Sequence, residues 1–175
     1  QFKEVAFVGR SNAGKSSLIN ALSGGQKIAK VSQAPGKTRL LNFFNFHNSY
    51  VLVDMPGYGF AARSVEELEQ WQNMIETYLT MRPQLIGLVL VMDVRRDWSQ
   101  EEQMLFEFTQ KIGKKILLAL TKIDKCNQKE LSARKKELKD LEKKMPIFYL
   151  SSDTGRGVKE LEEFLEHEWY GKSLK

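Results

Sequence analysis

The chain has 175 residues, 42% hydrophobic and 28% charged, with 27 lysines and arginines against 22 aspartates and glutamates, a net charge of +5. That length and balance suit one soluble globular domain over residues 1–175 and exclude general disorder, collagen-like composition and a continuous coiled coil. The longest apolar run, Leu85–Met92, is too short to cross a bilayer as a helix, and the single Cys126 excludes an internal disulfide and a cysteine-rich metal site.

The chain opens Gln1-Phe2-Lys3-Glu4 and runs directly into a strand-like segment. No secretory signal is expected, and the initiator Met is expected upstream. With one cysteine, a reducing cytoplasm is the expected setting. Charge is uneven. Residues 1–60 hold seven basic and two acidic side chains, 61–124 eight and ten, 125–144 eight and four, and 145–175 four and six. Two basic regions suggest polyanion partners, a phosphate ligand or a nucleic acid. The 125–144 stretch reads equally well as a solvated lysine-rich surface.

The first predicted strand is Glu4–Val8, followed by Gly9-Arg10-Ser11-Asn12-Ala13-Gly14-Lys15-Ser16 and a helix predicted over Lys15–Ser23. This loop fits G-x-x-x-x-G-K-[ST]. Its glycines let the backbone wrap a phosphate, with successive N–H groups and a helix N-terminus behind it. Lys15 is placed to bridge β- and γ-phosphates, and Ser16 to put its hydroxyl on Mg²⁺. Pro35-Gly36-Lys37-Thr38-Arg39 comes next, in a stretch with four basic and no acidic residues, and Thr38 offers Mg²⁺ a second hydroxyl. Strands follow at Leu41–Phe46 and Tyr50–Asp54, joined by His47-Asn48-Ser49 as a hairpin. Phe43, Phe44 and Phe46 read as edge-strand packing. The second of these strands ends in Asp54-Met55-Pro56-Gly57, which suits an outer Mg²⁺ shell at Asp54 and a backbone N–H from Gly57 to a γ-phosphate. By itself such a cluster is an ordinary turn.

A helix is predicted over Val65–Met81, a strand over Leu85–Asp93, a helix over Gln100–Ile112 and a strand over Lys115–Thr121. Arg95 and Arg96 follow the Leu85–Asp93 strand and read either as part of the basic face or as simply solvated side chains. The strand Lys115–Thr121 runs into Thr121-Lys122-Ile123-Asp124. A carboxylate at Asp124 can accept both N1–H and N2–H₂ of guanine, a donor pair adenine lacks, and the Lys122 stem can lie across the base. The competing reading is an exposed Lys–Asp pair. Lys129–Lys144 is predicted as one surface helix with a narrow apolar stripe of Leu131, Leu138, Leu141 and Met145. A strand at Ile147–Leu150 leads to Ser151-Ser152, whose backbone N–H could reach guanine O6, and Val158–Glu168 closes the chain as a helix. His47 and His167 carry no ligand signal, Cys126 reads as a small packing residue, and Trp71, Trp98 and Trp169 read as helix-face packing. The alternation predicts an α/β fold: a mostly parallel six-stranded sheet with one antiparallel edge strand and helices on both faces, ligands lying at the carboxyl ends of the strands.

Together the five segments between residues 9 and 155 resemble, in order and spacing, the motifs of Ras-like P-loop GTPases. Gly9 through Leu22 is similar to the bacterial Era/EngA/EngB/TrmE group. Pro35-Gly36-Lys37-Thr38 with Leu41-Asn42-Phe43-Phe44, then Asp54 through Ala61, then Trp71, Met74-Ile75-Glu76, Tyr78-Leu79 and Arg82, resemble the EngB family in particular. The resemblance implies GTP and GDP as ligands, bound by Gly9–Ser17, Gly36, Thr38, Asp54, Gly57, Thr121, Lys122, Asp124, Ser151 and Ser152. It implies Mg²⁺ at Ser16 and Thr38, with Asp54 in its outer shell, and catalysis carried by Lys15, Asn12, Thr38 and Gly57. It also implies work on the large ribosomal subunit or its rRNA, a link to cell division and septation, no membrane and a monomer. Two departures stand out. Thr121 replaces the Asn of Asn-Lys-x-Asp, which ties base loop to phosphate loop. Tyr58 replaces the water-orienting Gln, so intrinsic hydrolysis is expected to be slow, and Asn12 matches the position at which related GTPases bind an activating K⁺. Two rival readings remain at this stage: a P-loop ATPase or nucleoside kinase, and a GTP-gated ribosome-binding module with negligible catalysis.

Overall fold

The computed structural model describes residues 2–24, 30–33, 41–46, 50–59 and 64–171. In chain order these form β1 (Lys3–Gly9), α1 (Lys15–Leu22), β2 (Lys30–Gln33), β3 (Asn42–Phe46), β4 (Tyr50–Asp54), α2 (Val65–Met81), β5 (Leu85–Asp93), α3 (Gln100–Lys111), β6 (Lys115–Thr121), α4 (Gln128–Glu137), α5 (Lys139–Glu142), β7 (Ile147–Tyr149) and α6 (Val158–Phe164). Each of the six predicted strands is present. β2 is an addition, and makes the sheet seven-stranded in the order β2-β3-β4-β1-β5-β6-β7. β3 is antiparallel to both β2 and β4, while β4, β1, β5, β6 and β7 pair in parallel. The antiparallel strand is therefore second from the edge rather than at it. Lys30-Val31-Ser32-Gln33 has no hydrophobic alternation, and joins the sheet by backbone pairing to Asn42–Phe44. The connection at 47–49, with His47, lies outside the described residues, as do Gly36, Thr38 and the basic Lys27, Lys37 and Arg39.

The pleat of β1 sorts its side chains between two cores. Ala6 and Val8 pack with Ile75, Tyr78 and Leu79 of α2 and Leu105 and Phe106 of α3. Val5 and Phe7 pack with Leu18, Ile19 and Leu22 of α1 and Leu161 of α6. Helices thus cover both faces, which is why β5 reads as a nearly continuous apolar run, buried at eight of its nine positions. Each such Val or Leu contributes roughly 1.5–3 kcal/mol on burial. Gly87 is needed in that strand: a Cβ there would lie 2.6 Å from the Lys115 carbonyl and 2.8 Å from the Trp169 ring.

One predicted helix is two. The chain breaks between α4 and α5 at Leu138, whose ψ of 3° is not helical. The kink lets Leu138 and Met145 enter the core beneath a segment whose other side chains are mostly charged. The last predicted helix also ends early as α-helix, and Leu165–Trp169 continue as a wider turn closed by Tyr170 N–H donating to the Leu165 carbonyl. This puts Trp169 in the core against Gly87. At the far end of the sheet, buried Glu4 accepts a fork from Arg82 (2.7 and 2.9 Å) and the Tyr78 hydroxyl (2.9 Å). A carboxylate this buried persists because it is fully paired. Cys126 is half-buried against the core. No described helix is long and apolar enough to cross a membrane.

Candidate functional site

The carboxyl ends of β1, β4, β6 and β7 carry the predicted motifs, and the fold brings them to one rim. β1 ends at Gly9, where a Cβ would meet the Val91 carbonyl at 2.4 Å, so no side chain fits. The loop then turns through Asn12, at φ 64°, and Gly14, at φ 87°, both left-handed. Asn tolerates that region and Gly prefers it. Within the turn the Ala13 N–H donates to the Arg10 carbonyl at 3.0 Å, and the Ser11 N–H to the Tyr58 carbonyl at 2.8 Å. α1 starts at Lys15, and Gly14 at its N-cap supplies no capping side chain. The first-turn amides are left facing the rim, the arrangement that receives anions. Ser16 and Ser17 are exposed on this first turn.

Lys15 and Asp54 meet directly, Nζ against Oδ1, both side chains mostly buried. Burial lowers the Lys15 ammonium to about 8, while the touching carboxylate favours its charged form. Beyond Asp54 the chain stays beside β1: the Met55 N–H donates to the Phe7 carbonyl at 3.0 Å and the Tyr58 N–H to the Gly9 carbonyl at 3.2 Å. Gly57 rests against the phosphate-type loop, 3.3 Å from the Gly9 oxygen and Ser11 nitrogen to where a Cβ would be.

On the other side, the Thr121 hydroxyl lies 2.5 Å from the Ala13 carbonyl and 3.2 Å from the Met92 carbonyl. This bond links the β6 end to the phosphate-type loop, the job for which an Asn was missing. Lys122 is left-handed at φ 61°. It also reaches the loop, its Nζ donating to the Asn12 carbonyl at 2.6 Å and lying 3.4 Å from Asp93. Asp124 accepts from the Ser151 hydroxyl at 2.6 Å, and Lys125 lies 3.1 Å from its other oxygen. The Ser151 bond is the main reason the Asp124 pKa is lowered. Ser151 is fully buried and takes the Thr154 N–H at 3.2 Å. The buried Ser152 hydroxyl oxygen has no protein hydrogen-bond partner. A cleft of about 400 Å³ opens beside these loops, lined in part by Asn12, Asp93, Arg96 and Lys122.

Three placements differ from expectation or went unforeseen. The Arg10 side chain, expected among the ligand contacts, leaves the rim for the start of α3. It reaches Glu102 at 3.3 Å, and Ser99 and Glu101 at 3.1 and 3.0 Å. A guanidinium next to two carboxylates is better paired there than left in solvent. Tyr58 goes the same way. It is 1% exposed, packed on Trp71 with ring centroids 5.2 Å apart, and its hydroxyl donates to Glu102 at 2.6 Å. Glu102 and Ser99 form the capping box of α3. The Ser-x-x-Glu spacing was a visible signal for this, but nothing in it pointed to Arg10 or Tyr58. Finally, Arg95 is folded back onto Asp93 at 2.7 and 3.0 Å. Burial raises the Asp93 pKa, yet the Arg95 bonds outweigh it and hold the group at about 2. Arg96 is exposed.

Residues 4–122 match a protein family described as "50S ribosome-binding GTPase". A protein of Bdellovibrio bacteriovorus named "Probable GTP-binding protein EngB" is 50% identical over 166 residues, covering 95% of this chain and 82% of that protein. One of the same name from Clostridium botulinum (strain Alaska E43) is 44% identical over 161 residues, covering 90% and 81%. The chain belongs to the EngB family. It is a GTPase by that membership. A crystal structure titled as a probable GTP-binding protein engB superposes with a TM-score of 0.72 over 97% of this chain and 99% of that one, at 21% identity, and so bears on the fold alone. Tyr58, which the resemblance sets where a water-orienting carboxamide was expected, is turned into the core.

Proposed function

We propose that this chain is a single GTPase domain that hydrolyses GTP slowly and uses the cleavage as a conformational switch on the large ribosomal subunit, as a cytoplasmic monomer. The observation that carries the reading is the convergence of Lys15, Asp54, Gly57, Thr121 and Asp124 at one rim, with Asp124 held by Ser151. Gly9–Ser17 would cradle the phosphates, Lys15 the β/γ oxygens, Asp124 and Lys122 the guanine, and the Ser151–Ser152 backbone its O6. The incoming phosphates must displace the Lys15–Asp54 contact. Gly36 and Thr38, assigned to the nucleotide and its metal, lie outside the described residues.

Exposed Ser16 and the Asp54 carboxylate are hard oxygen donors of the kind Mg²⁺ takes, so the residues present fit that ion. When bound, Mg²⁺ neutralises charge on the transferring phosphate. Lys15 would contribute a positive charge to the phosphate oxygens. Gly57 would read the γ-phosphate through its N–H. Its release after hydrolysis would free the segment that carries Tyr58, an order–disorder switch.

Two features favour slow intrinsic turnover. Tyr58 is engaged with Glu102, and Arg10, the one arginine of the loop, is engaged with α3. These also support the second reading, a GTP-gated ribosome-binding module whose own catalysis is negligible. Asn12 is exposed on the loop, where K⁺ could take the place of an arginine. Large-subunit binding follows the family description, and rRNA contact and a role in cell division and septation rest on resemblance alone. The test is single-turnover GTP hydrolysis in KCl and in NaCl, with and without purified large subunits, with ATP as competitor. A rate raised by K⁺ and again by the subunit is expected. Nucleotide-dependent subunit binding with no rate change would favour the module, equal rates in both salts would remove the K⁺ site, and effective ATP competition would remove guanine selectivity.

A further inference from the structure

The face between α2 and α3 combines two properties. The first is an apolar groove of about 90 Å³, with Trp71, Ile75 and Leu105 in its floor and Leu68 and Met104 on its rim. It has room for one apolar side chain, at about three times the share of a water molecule in the liquid (~30 Å³). Leu68 and Met104 are 43% and 42% exposed, among the few large apolar side chains of the described residues that face solvent.

The second is charge. α2 carries Glu66, Glu67, Glu69 and Glu76 and no lysine or arginine; on α3, Glu101 and Glu102 are held by Arg10, and Glu107 stands with Lys111. The whole chain is nonetheless basic, at +5. Glu69, Glu76 and Glu107 form no ion pair with a described lysine or arginine. Like charges crowded on an apolar surface are relieved by a cationic partner. The same carboxylates repel a nucleic acid or an anionic membrane. In a second copy, the lysine-rich α4–α5 segment keeps Leu138 and the following Met145 in its own core and so supplies no apolar anchor.

We propose that this groove docks a basic amphipathic segment of a protein partner. One apolar side chain enters between Leu68 and Met104, and flanking lysines or arginines meet Glu76, which lines the groove, and Glu69 and Glu107 on the same two helices. Apolar anchoring by a helix or strand with a charged rim is a recurrent mode of peptide recognition. Tyr58 and Gly59, directly after Gly57, are among the residues that line the groove. Docking should therefore respond to nucleotide, and this coupling alone rests on the switch reading above.

The probe is a short fluorescein-labelled helical peptide with leucine and phenylalanine on one face and lysines flanking them, together with its twin carrying glutamate for lysine. Anisotropy is read on the chain loaded with GDP or with a non-hydrolysable GTP analogue, at low and high salt. The lysine peptide is expected to bind, to weaken about tenfold with Leu68→Lys and Met104→Lys combined, and to weaken in high salt, while the glutamate peptide does not bind. Affinity of the double variant for a fluorescent GDP analogue should stay within twofold, which shows that it folds. Failure of the lysine peptide to bind, equal binding to the double variant, or equal binding of the glutamate peptide overturns the proposal. So does concentration-dependent self-association abolished by the double variant, which would give the groove to a second copy. Equal peptide affinity in both nucleotide states overturns the coupling alone, and a wild-type chain that binds no guanine nucleotide overturns the switch reading while the peptide result still decides docking.

Discussion

Replacing Tyr58 by Phe removes one oxygen and leaves the ring on Trp71. The lost bond, 2.6 Å to a carboxylate that is 1% exposed, is charge-assisted and buried. Hydrogen bonds to charged groups contribute about 1.5–3 kcal/mol. Glu102 keeps the Ser99 N–H at 2.9 Å and Arg10 at 3.3 Å, so it is not orphaned, and about 2 kcal/mol is the expected cost. For a chain of this size that is a fall in Tm of about 4–8 °C, read by calorimetry and checked by urea unfolding. The phenol faces α3 and not the rim, so single-turnover GTP hydrolysis should stay within about threefold of wild type. A variant with unchanged Tm and hydrolysis down more than tenfold would refute the reasoning: the hydroxyl would then act at the phosphates, and the buried position would not be the working one.

Affinity for GDP should be flat below pH about 8, where Lys15 is charged, and should fall by up to about tenfold per pH unit above it, because phosphate requires the ammonium. Lys15→Met should lower affinity and remove the slope, both read by titration of a fluorescent GDP analogue. The nucleotide-free fold should shift the other way: a lysine depressed from 10.5 to about 8 makes stability rise with pH through that window, measured by urea midpoints. In its proposed base-reading role Asp124 would accept two guanine donors, so Asp124→Asn should weaken GDP about a hundredfold while improving xanthosine diphosphate, whose C2 carbonyl can accept from the amide. Gly87→Ala forces a methyl against the Lys115 carbonyl and the Trp169 ring and should cost about 1–3 kcal/mol in urea unfolding.

The sequence by itself determined whatever depends on neighbours along the chain. α2, β5 and β6 begin and end where periodicity and turn residues say, because burial of one face or of two writes its period into a contiguous stretch. The phosphate-type loop was legible for the same reason, since its glycines, lysine and serine act within eight consecutive residues. Other features needed the tertiary structure. β2 joins through backbone groups whose side chains carry no pattern, and α4 breaks from α5 because Leu138 is drawn into the core. Thr121 takes over the missing Asn's tie by reaching Ala13, 108 residues away in sequence. Arg10 and Tyr58 both commit to Glu102, a residue whose local role is to cap a helix. A side chain with several possible partners is settled by which of them the fold leaves buried and in need of a counter-charge, and that is decided by the packing of α3 against β5 and β6, not by spacing along the chain.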